Sequence, residues 1–257
     1  MVARIFEGRA LIDAIGLGSA GTVLYCAVVL FVAYLVRGIA GFGSGLIAVP
    51  LLSLAVPVPA VVPLVVTLDY IGSASQGVKN LDQIAWREQL ILIPFMVVGI
   101  GLGLFLLHSI PPVMLARALG VFVILYAIYR WIPQPPRKGS RLFGVLFGVL
   151  GGLLGALFGT GGPFYVIYLN LRALEKTVFR ATFATNFLID GGIRLVAYAW
   201  MGLFGRATLT ALVLALPVAV AALYLGGRIQ TGLSQVAFVR VISVLLLGSG
   251  LALLLKG

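Results

Sequence analysis

Apolar runs cut by short polar clusters fill almost all of the chain after residue 22. The first run, 23–36, continues through Arg37 to a glycine-rich interruption, Gly41-Phe-Gly-Ser-Gly45, and a short apolar run, Leu46 to Leu54, follows. Val56-Pro-Val-Pro59 reads as a stiff turn. Further spans are predicted over about 61–78, 89–107 and 113–131, with a polar loop from Lys79 to Glu88. Pro133 to Arg141, rich in proline and basic residues, reads as a linker. A span from 142 then leads to a second interruption, Gly159-Thr-Gly-Gly-Pro163, and a short run, Phe164 to Leu171. After a charged loop, Arg172 to Arg180, spans are predicted over about 180–202, 206–226 and 235–255. A bilayer-crossing helix takes about 20 apolar residues, so the chain admits about eight crossings.

The two halves align. An offset of 117 sets Gly38 on Gly155, Gly45 on Gly162, Asp69 on Asn186 and Ser73 on Asp190. After a longer loop in the second half, an offset of 123 sets Pro94 on Pro217, Gly103 on Gly226 and Arg117 on Arg240. This predicts an internal duplication, a common plan in secondary transporters. The expected organisation is an amphipathic lead-in over 1–21 (with Arg4, Glu7, Arg9 and Asp13), a first transmembrane repeat over 22–132, a linker over 133–141 and a second repeat over 142–257. A basic start is compatible with a cleaved leader, but the run at 23–36 is needed as the first span.

Composition narrows the class. Hydrophobic residues make up 61% and charged residues 10%, and mean hydropathy is +1.17. No soluble domain of this length needs so much apolar surface, so the expected fold is an all-α polytopic membrane protein. One cysteine, Cys26, excludes a disulfide framework. One histidine, His108, beside Pro111-Pro112, leaves no histidine–cysteine cluster for a transition metal. No phosphate-cradling Gly-x4-Gly-Lys-Ser/Thr loop is present. Neither metal nor cofactor is expected. The net charge of +11 lies mostly between spans, where positive-inside sorting puts it, so it reads as topology first and attraction of anions second, not as nucleic-acid binding. The loops conflict on orientation. With a cytoplasmic N-terminus, Lys79, Arg87, Arg137, Lys138 and Arg141 fall inside, whereas Arg172, Lys176 and Arg180 fall outside. A second broken segment that turns back, or halves inverted relative to each other, would each resolve this.

Glycines at the centre of a helical apolar run break the helix. In lipid such a break is tolerated only where protein or a watery cavity satisfies the freed backbone groups. The half-helix beyond it begins with unpaired N–H groups and is an anion site; Pro163 suits a first helical position. The alternative is close packing through small residues, with no ligand. The candidate anion-binding set is therefore Gly43, Ser44, Gly45, Thr160, Gly161, Gly162, Asn186 and Arg37, with backbone amides of the breaks and the side chains of Ser44, Thr160 and Asn186 as donors. Arg37 either neutralises an anion or snorkels to a headgroup. Asp69 and Asp190 lie within predicted spans, where charge is costly and usually functional, and are candidates for proton or ion coupling. Asp190 and Arg194, four apart, could instead simply neutralise each other. Arg117 and Arg240 read as interfacial, as do Trp86, Trp131 and Trp200 at span ends. Tyr165 and Tyr168 could face either pocket or lipid.

These residues resemble a known family. The first break followed by Leu-Ile-Ala-Val-Pro50-Leu-Leu, the second break as Gly159-Thr-Gly-Gly-Pro-Phe-Tyr-Val-Ile-Tyr, and Arg180-Ala-Thr-Phe-Ala-Thr-Asn186 are similar to the TauE/SafE sulfite exporters, from about 24 to 255. The resemblance implies two four-helix repeats and an inner-membrane carrier of small sulfur-containing anions such as sulfite, thiosulfate or sulfoacetate. The first break, Gly-Phe-Gly-Ser-Gly, is shorter than the glycine run the family often has. The expected function is a secondary transporter, not an enzyme, holding its anion at the broken helices between the repeats. Two alternatives stand beside it: an intramembrane enzyme acting on lipid phosphates, and a passive anion channel. The expected partners are a small anionic substrate and the lipid bilayer, with no nucleic acid; a homodimer is an open assembly state.

Overall fold

The computed structural model describes residues 20–41, 43–76, 81–132, 139–229 and 235–256. The lead-in over 1–19, Lys79 and most of the 133–141 linker lie outside the described residues. Among the described residues ten α-helices follow in order: α1 Ala20–Ala40, α2 Ser44–Leu52, α3 Val58–Gln76, α4 Trp86–Ser109, α5 Pro112–Trp131, α6 Phe143–Phe158, α7 Gly162–Leu171, α8 Lys176–Trp200, α9 Arg206–Arg228 and α10 Gln235–Leu255. No strand occurs among the described residues.

Among the described residues four helices are long and apolar enough to cross a membrane: α1 over Gly21–Ile39, α4, α5 and α9. Val58–Ala74, Phe143–Phe158 and Ile242–Leu255 are shorter apolar helices. Two predicted loops are shorter than expected. Trp86 to Glu88 belong to the first turn of α4, and α8 begins at Lys176, so residues assigned to polar loops lie inside helices. Trp86, Trp131 and Trp200 stand at helix ends with 53%, 55% and 92% of their surface exposed, as interfacial anchors should.

The chain divides into two compact units, each drawn from separate stretches. The first holds α1, α2, the part of α3 up to Leu68, α5, α9 and α10. Its principal helix pairs are α1 with α9 and α5 with α10. Gly38 and Gly226 make the α1–α9 crossing close: a Cβ at Gly38 would lie 2.6 Å from the Leu223 carbonyl oxygen, and one at Gly226 would overlap that of Leu35. Gly120 and Gly250 do the same for α5 and α10.

The second unit holds α3 from Asp69, α4, α6, α7 and α8 up to Ala197. Its dominant pair is α4 with α6. Gly99 and Gly103 on α4, and Gly148 and Gly152 on α6, each back onto the facing helix, so the two backbones approach along several turns. This is the small-residue packing that replaces the hydrophobic effect between helices in lipid. Leu92, Met96 and Ile100 of α4 join Ala156, Tyr165, Tyr168 and Leu169 in the core beside it.

A methyl group at Gly152 would overlap the Met96 carbonyl oxygen, whereas one at Gly101 would meet nothing within 4 Å. Gly152→Ala is expected to cost roughly 1–3 kcal/mol through overpacking. Gly101→Ala is expected to be neutral or slightly stabilising, as alanine favours helix over glycine. Thermal unfolding of the two purified variants in detergent checks the contrast.

Candidate functional site

Both glycine runs lie at helix ends. In the first unit α1 stops at Ala40 and α2 starts at Ser44. Gly43, the residue before α2, has φ 97°, a left-handed conformation that strongly favours glycine. The α2 start carries no side-chain cap. Arg37, 3% exposed, reaches its guanidinium forward across the gap, and its Nη1 donates to Ser44 Oγ at 3.0 Å. That burial corrects the snorkelling alternative: the side chain points into the break, not toward a headgroup. Ser44 and Gly45 are buried as well.

In the second unit α6 stops at Phe158 and α7 starts at Gly162. Gly159 caps α6 with φ 67° and donates to the Gly155 carbonyl at 2.9 Å. The Thr160 amide and hydroxyl reach the Leu154 carbonyl at 3.4 and 3.5 Å. Arg194, on α8 and 2% exposed, adds a donor from its Nη1 to the Gly155 carbonyl at 2.8 Å. The carbonyls at the end of α6 therefore find partners from three directions. The amide end of α7 is treated differently: it has no side-chain cap, and Pro163 stands in its first turn. A Cβ at Gly161 would overlap the Gly151 carbonyl oxygen, so this glycine is required by close packing. At Gly162 a Cβ would find only Phe183 and Phe187, both at 3.8 Å.

Asn186 stands on α8 between those two phenylalanines in sequence, one turn before Asp190. It is fully buried, and neither its Oδ1 nor its Nδ2 has a hydrogen-bond partner among the described residues. The neighbouring Thr185 hydroxyl, on a residue 8% exposed, has none either. Leaving a buried carboxamide without partners costs about 1–3 kcal/mol per group, so such a group calls for a ligand or ordered water. Sequence reasoning singled out Asn186 from its place in the repeat; only burial reveals that it lacks a protein partner.

Asp190 is fully buried and paired with Arg194 Nη2, the neutralisation that their spacing of four residues allowed. The Tyr165 hydroxyl donates to its other oxygen at 3.0 Å. Asp69 is 4% exposed. Its neighbour Tyr70 lies across Gly191 and Gly192, which follow Asp190, so the two acidic segments run beside each other. Tyr165 and Tyr168 are both fully buried and face protein, not lipid. Arg117 and Arg240 are exposed.

A second polar cluster escaped the sequence reading. Glu88, 3% exposed, accepts from the Tyr168 hydroxyl and pairs with Arg141 at 3.2 Å and Arg172 at 3.3 Å. Beside it, Gln89 Nε2 donates to the Thr182 carbonyl at 2.6 Å, and the Ala85 amide to the Thr182 hydroxyl at 2.9 Å. These bonds tie α4, α7, α8 and the turn that leads into α6 together. Among the described residues no group of three His, Cys, Asp or Glu side chains could hold a metal ion.

A statistical description of the family "Sulfite exporter TauE/SafE" matches residues 26–253. The chain belongs to the TauE/SafE sulfite exporter family. It is 32% identical over 228 residues to a "Probable sulfite/organosulfonate exporter TauE" of Cupriavidus necator, covering 84% of this chain and 88% of that protein. It is 30% identical over 201 residues to a "Probable inner membrane transporter protein TsaS" of Comamonas testosteroni, covering 74% of this chain and 81% of that protein. No solved structure matches the chain. This TauE/SafE protein thus combines the family's membrane class with two buried arginines, one at each glycine run.

The Asp190–Arg194 pair is expected to behave as a buried ion pair. Asp190→Leu leaves Arg194 uncompensated and should cost about 3–5 kcal/mol, whereas Asp190→Leu with Arg194→Met should recover at least half of that loss. Chemical denaturation of the purified variants measures both; a single variant as stable as the parent chain would show that the pair holds nothing.

Proposed function

We propose that this protein is a secondary transporter that exports small sulfur-containing anions, sulfite or an organosulfonate, across the inner membrane. The observation that carries the reading is Asn186, a fully buried carboxamide with no protein partner, on the helix that covers the start of α7. The Asn186 Nδ2 and the leading amides of α7 would donate to the sulfonate oxygens, and the helix dipole would add to the attraction. Thr160 and Thr185 would contribute hydroxyls. In the first unit Arg37, Gly43, Ser44 and Gly45 form the corresponding group at the start of α2. The names of the relatives from Cupriavidus necator and Comamonas testosteroni support the substrate class and the membrane.

Asp190 would serve coupling. Protonation of its carboxylate would release Arg194 charge toward an arriving anion, so proton and anion would move together. Asp69, beside it, is the second candidate for this role.

The reading includes an internal duplication of two repeats, each with one glycine-broken helix. Its support is the exchange of partners: Gly103 of α4 backs onto Leu153 and Ala156 of α6, and Gly226 of α9 backs onto Leu35 and Gly38 of α1. Gly103 and Gly226 are equivalent in the alignment of the halves, and each meets the broken helix of the other half.

Efflux of sulfite and of sulfoacetate from proteoliposomes tests the proposal. Asn186→Leu is expected to lose about tenfold or more in flux, as hydrogen bonds to a charged group are worth about 1.5–3 kcal/mol each. Asn186→Asp, which keeps the shape and repels an anion, should lose as much. Saturation and trans-stimulation are expected of a carrier and not of a channel. Parental flux in both variants would contradict the assigned role of Asn186.

A further inference from the structure

The first unit contains an apolar groove of about 210 Å³ that the transport reading does not use. Its walls are α1 and α9, and its floor is the α2–α3 junction. The geometry of the α1–α9 pair explains it. The two helices run parallel and touch backbone to backbone at Gly38 and Gly226, near their C-terminal ends. Toward their N-terminal ends the facing residues carry side chains, and the helices open a wedge between Val23 and Cys26 on one side and Ala211 and Leu214 on the other. In the α4–α6 pair of the second unit, by contrast, Gly99, Gly103, Gly148 and Gly152 hold the helices close over several turns.

Along α9 the groove runs from Arg206 to Val218. At 1.5 Å per residue that is about 18 Å, close to one leaflet's share, about 15 Å, of a hydrocarbon core about 30 Å thick. Its mouth is polar. Arg206 opens α9, a candidate span of 23 residues with arginine at each end. The far arginine, Arg228, lies over the Tyr224 ring at 4.2 Å. The Arg206 guanidinium is exposed and has no hydrogen-bond or ion-pair partner among the described residues. The hydroxyls nearby are already committed: Thr208 donates to the Leu203 carbonyl at 3.1 Å and Thr210 to that of Arg206 at 2.9 Å.

We propose that this groove binds one acyl chain of an anionic phospholipid, with Arg206 pairing its phosphate. An aliphatic slot of one-leaflet depth with a single unpaired cation at its rim matches such a lipid in length, polarity and charge. A zwitterionic lipid would fill the slot, but its own ammonium would compete for the phosphate.

The chain carries its own reporter: Cys26, the only cysteine, is half-buried in the groove wall. The experiment measures N-ethylmaleimide labelling of the full-length protein in detergent, with added phosphatidylglycerol or phosphatidylcholine. Phosphatidylglycerol is expected to slow labelling about fivefold more than phosphatidylcholine at equal mole fraction, the effect of one basic residue on an anionic lipid. Arg206→Gln should abolish the difference between the lipids while leaving protection by both. Ala211→Trp, which fills the slot, should abolish protection altogether. Arg206→Gln alone keeps the proposal open to refutation should the tryptophan variant fail to fold. Labelling indifferent to lipid, or an unchanged preference in Arg206→Gln, overturns the proposal. So does protection that grows with protein concentration in the absence of lipid, which would make the groove an interface between copies of the chain.

Discussion

An interrupted helix in a bilayer has to find partners for the carbonyls it leaves behind, because no water is there to take them. In the second unit that demand is met by the Gly159 and Thr160 amides, the Thr160 hydroxyl and one buried side chain from another helix. Arg194 reaches from α8 to the Gly155 carbonyl while Asp190 balances its charge and Tyr165 holds the other carboxylate oxygen. A guanidinium suits this position, since its five donors can serve a backbone oxygen and a carboxylate at once. The result links the end of α6, the body of α7 and the middle of α8. It also leaves the amide end of α7 uncapped, and with it the polar atoms of Asn186.

The first unit places its buried arginine differently. Arg37 lies on α1 itself, not on a neighbour, and reaches forward to the Ser44 hydroxyl at the start of α2. The glycines of the two runs also differ in purpose. Gly43 and Gly159 adopt left-handed backbone, while Gly161 is held by contact with the Gly151 carbonyl. A left-handed turn and a close packing contact therefore occur within the same five residues of the second run.

Much of this was legible in the sequence because apolar length and glycine breaks survive without knowledge of neighbours. The helix start at Pro112 and the boundaries near Trp131 and Leu171 follow from runs and breakers alone, while the helices expected from Leu46 and Phe164 start two residues earlier, at Ser44 and Gly162, inside the glycine runs. The tryptophans at helix ends follow from their amphipathic rings. What could not be read is which face of each helix turns inward. A span apolar all round carries no periodic signal, so the burial of Tyr165 and Tyr168 and the inward turn of Arg37 had no trace in the pattern. Glu88 was missed for a related reason. Its partners, Arg141, Arg172 and Tyr168, are 53 to 84 positions away in the chain, and a lone acid at a span end looks like loop. The pairing of α1 with α9 and α4 with α6 was equally hidden, since proximity in sequence favours neighbours within one half.

The central claim is that the amide end of α7 and the unpartnered carboxamide of Asn186 exist to hold an oxyanion. An experimental structure of the protein in lipid nanodiscs with saturating sulfoacetate tests it most directly. The account predicts a sulfonate with its oxygens within hydrogen-bond distance of Asn186 Nδ2 and the Gly161–Gly162 amides, between Phe183 and Phe187. A sulfonate bound elsewhere, with Asn186 hydrogen-bonded to protein alone, would contradict it.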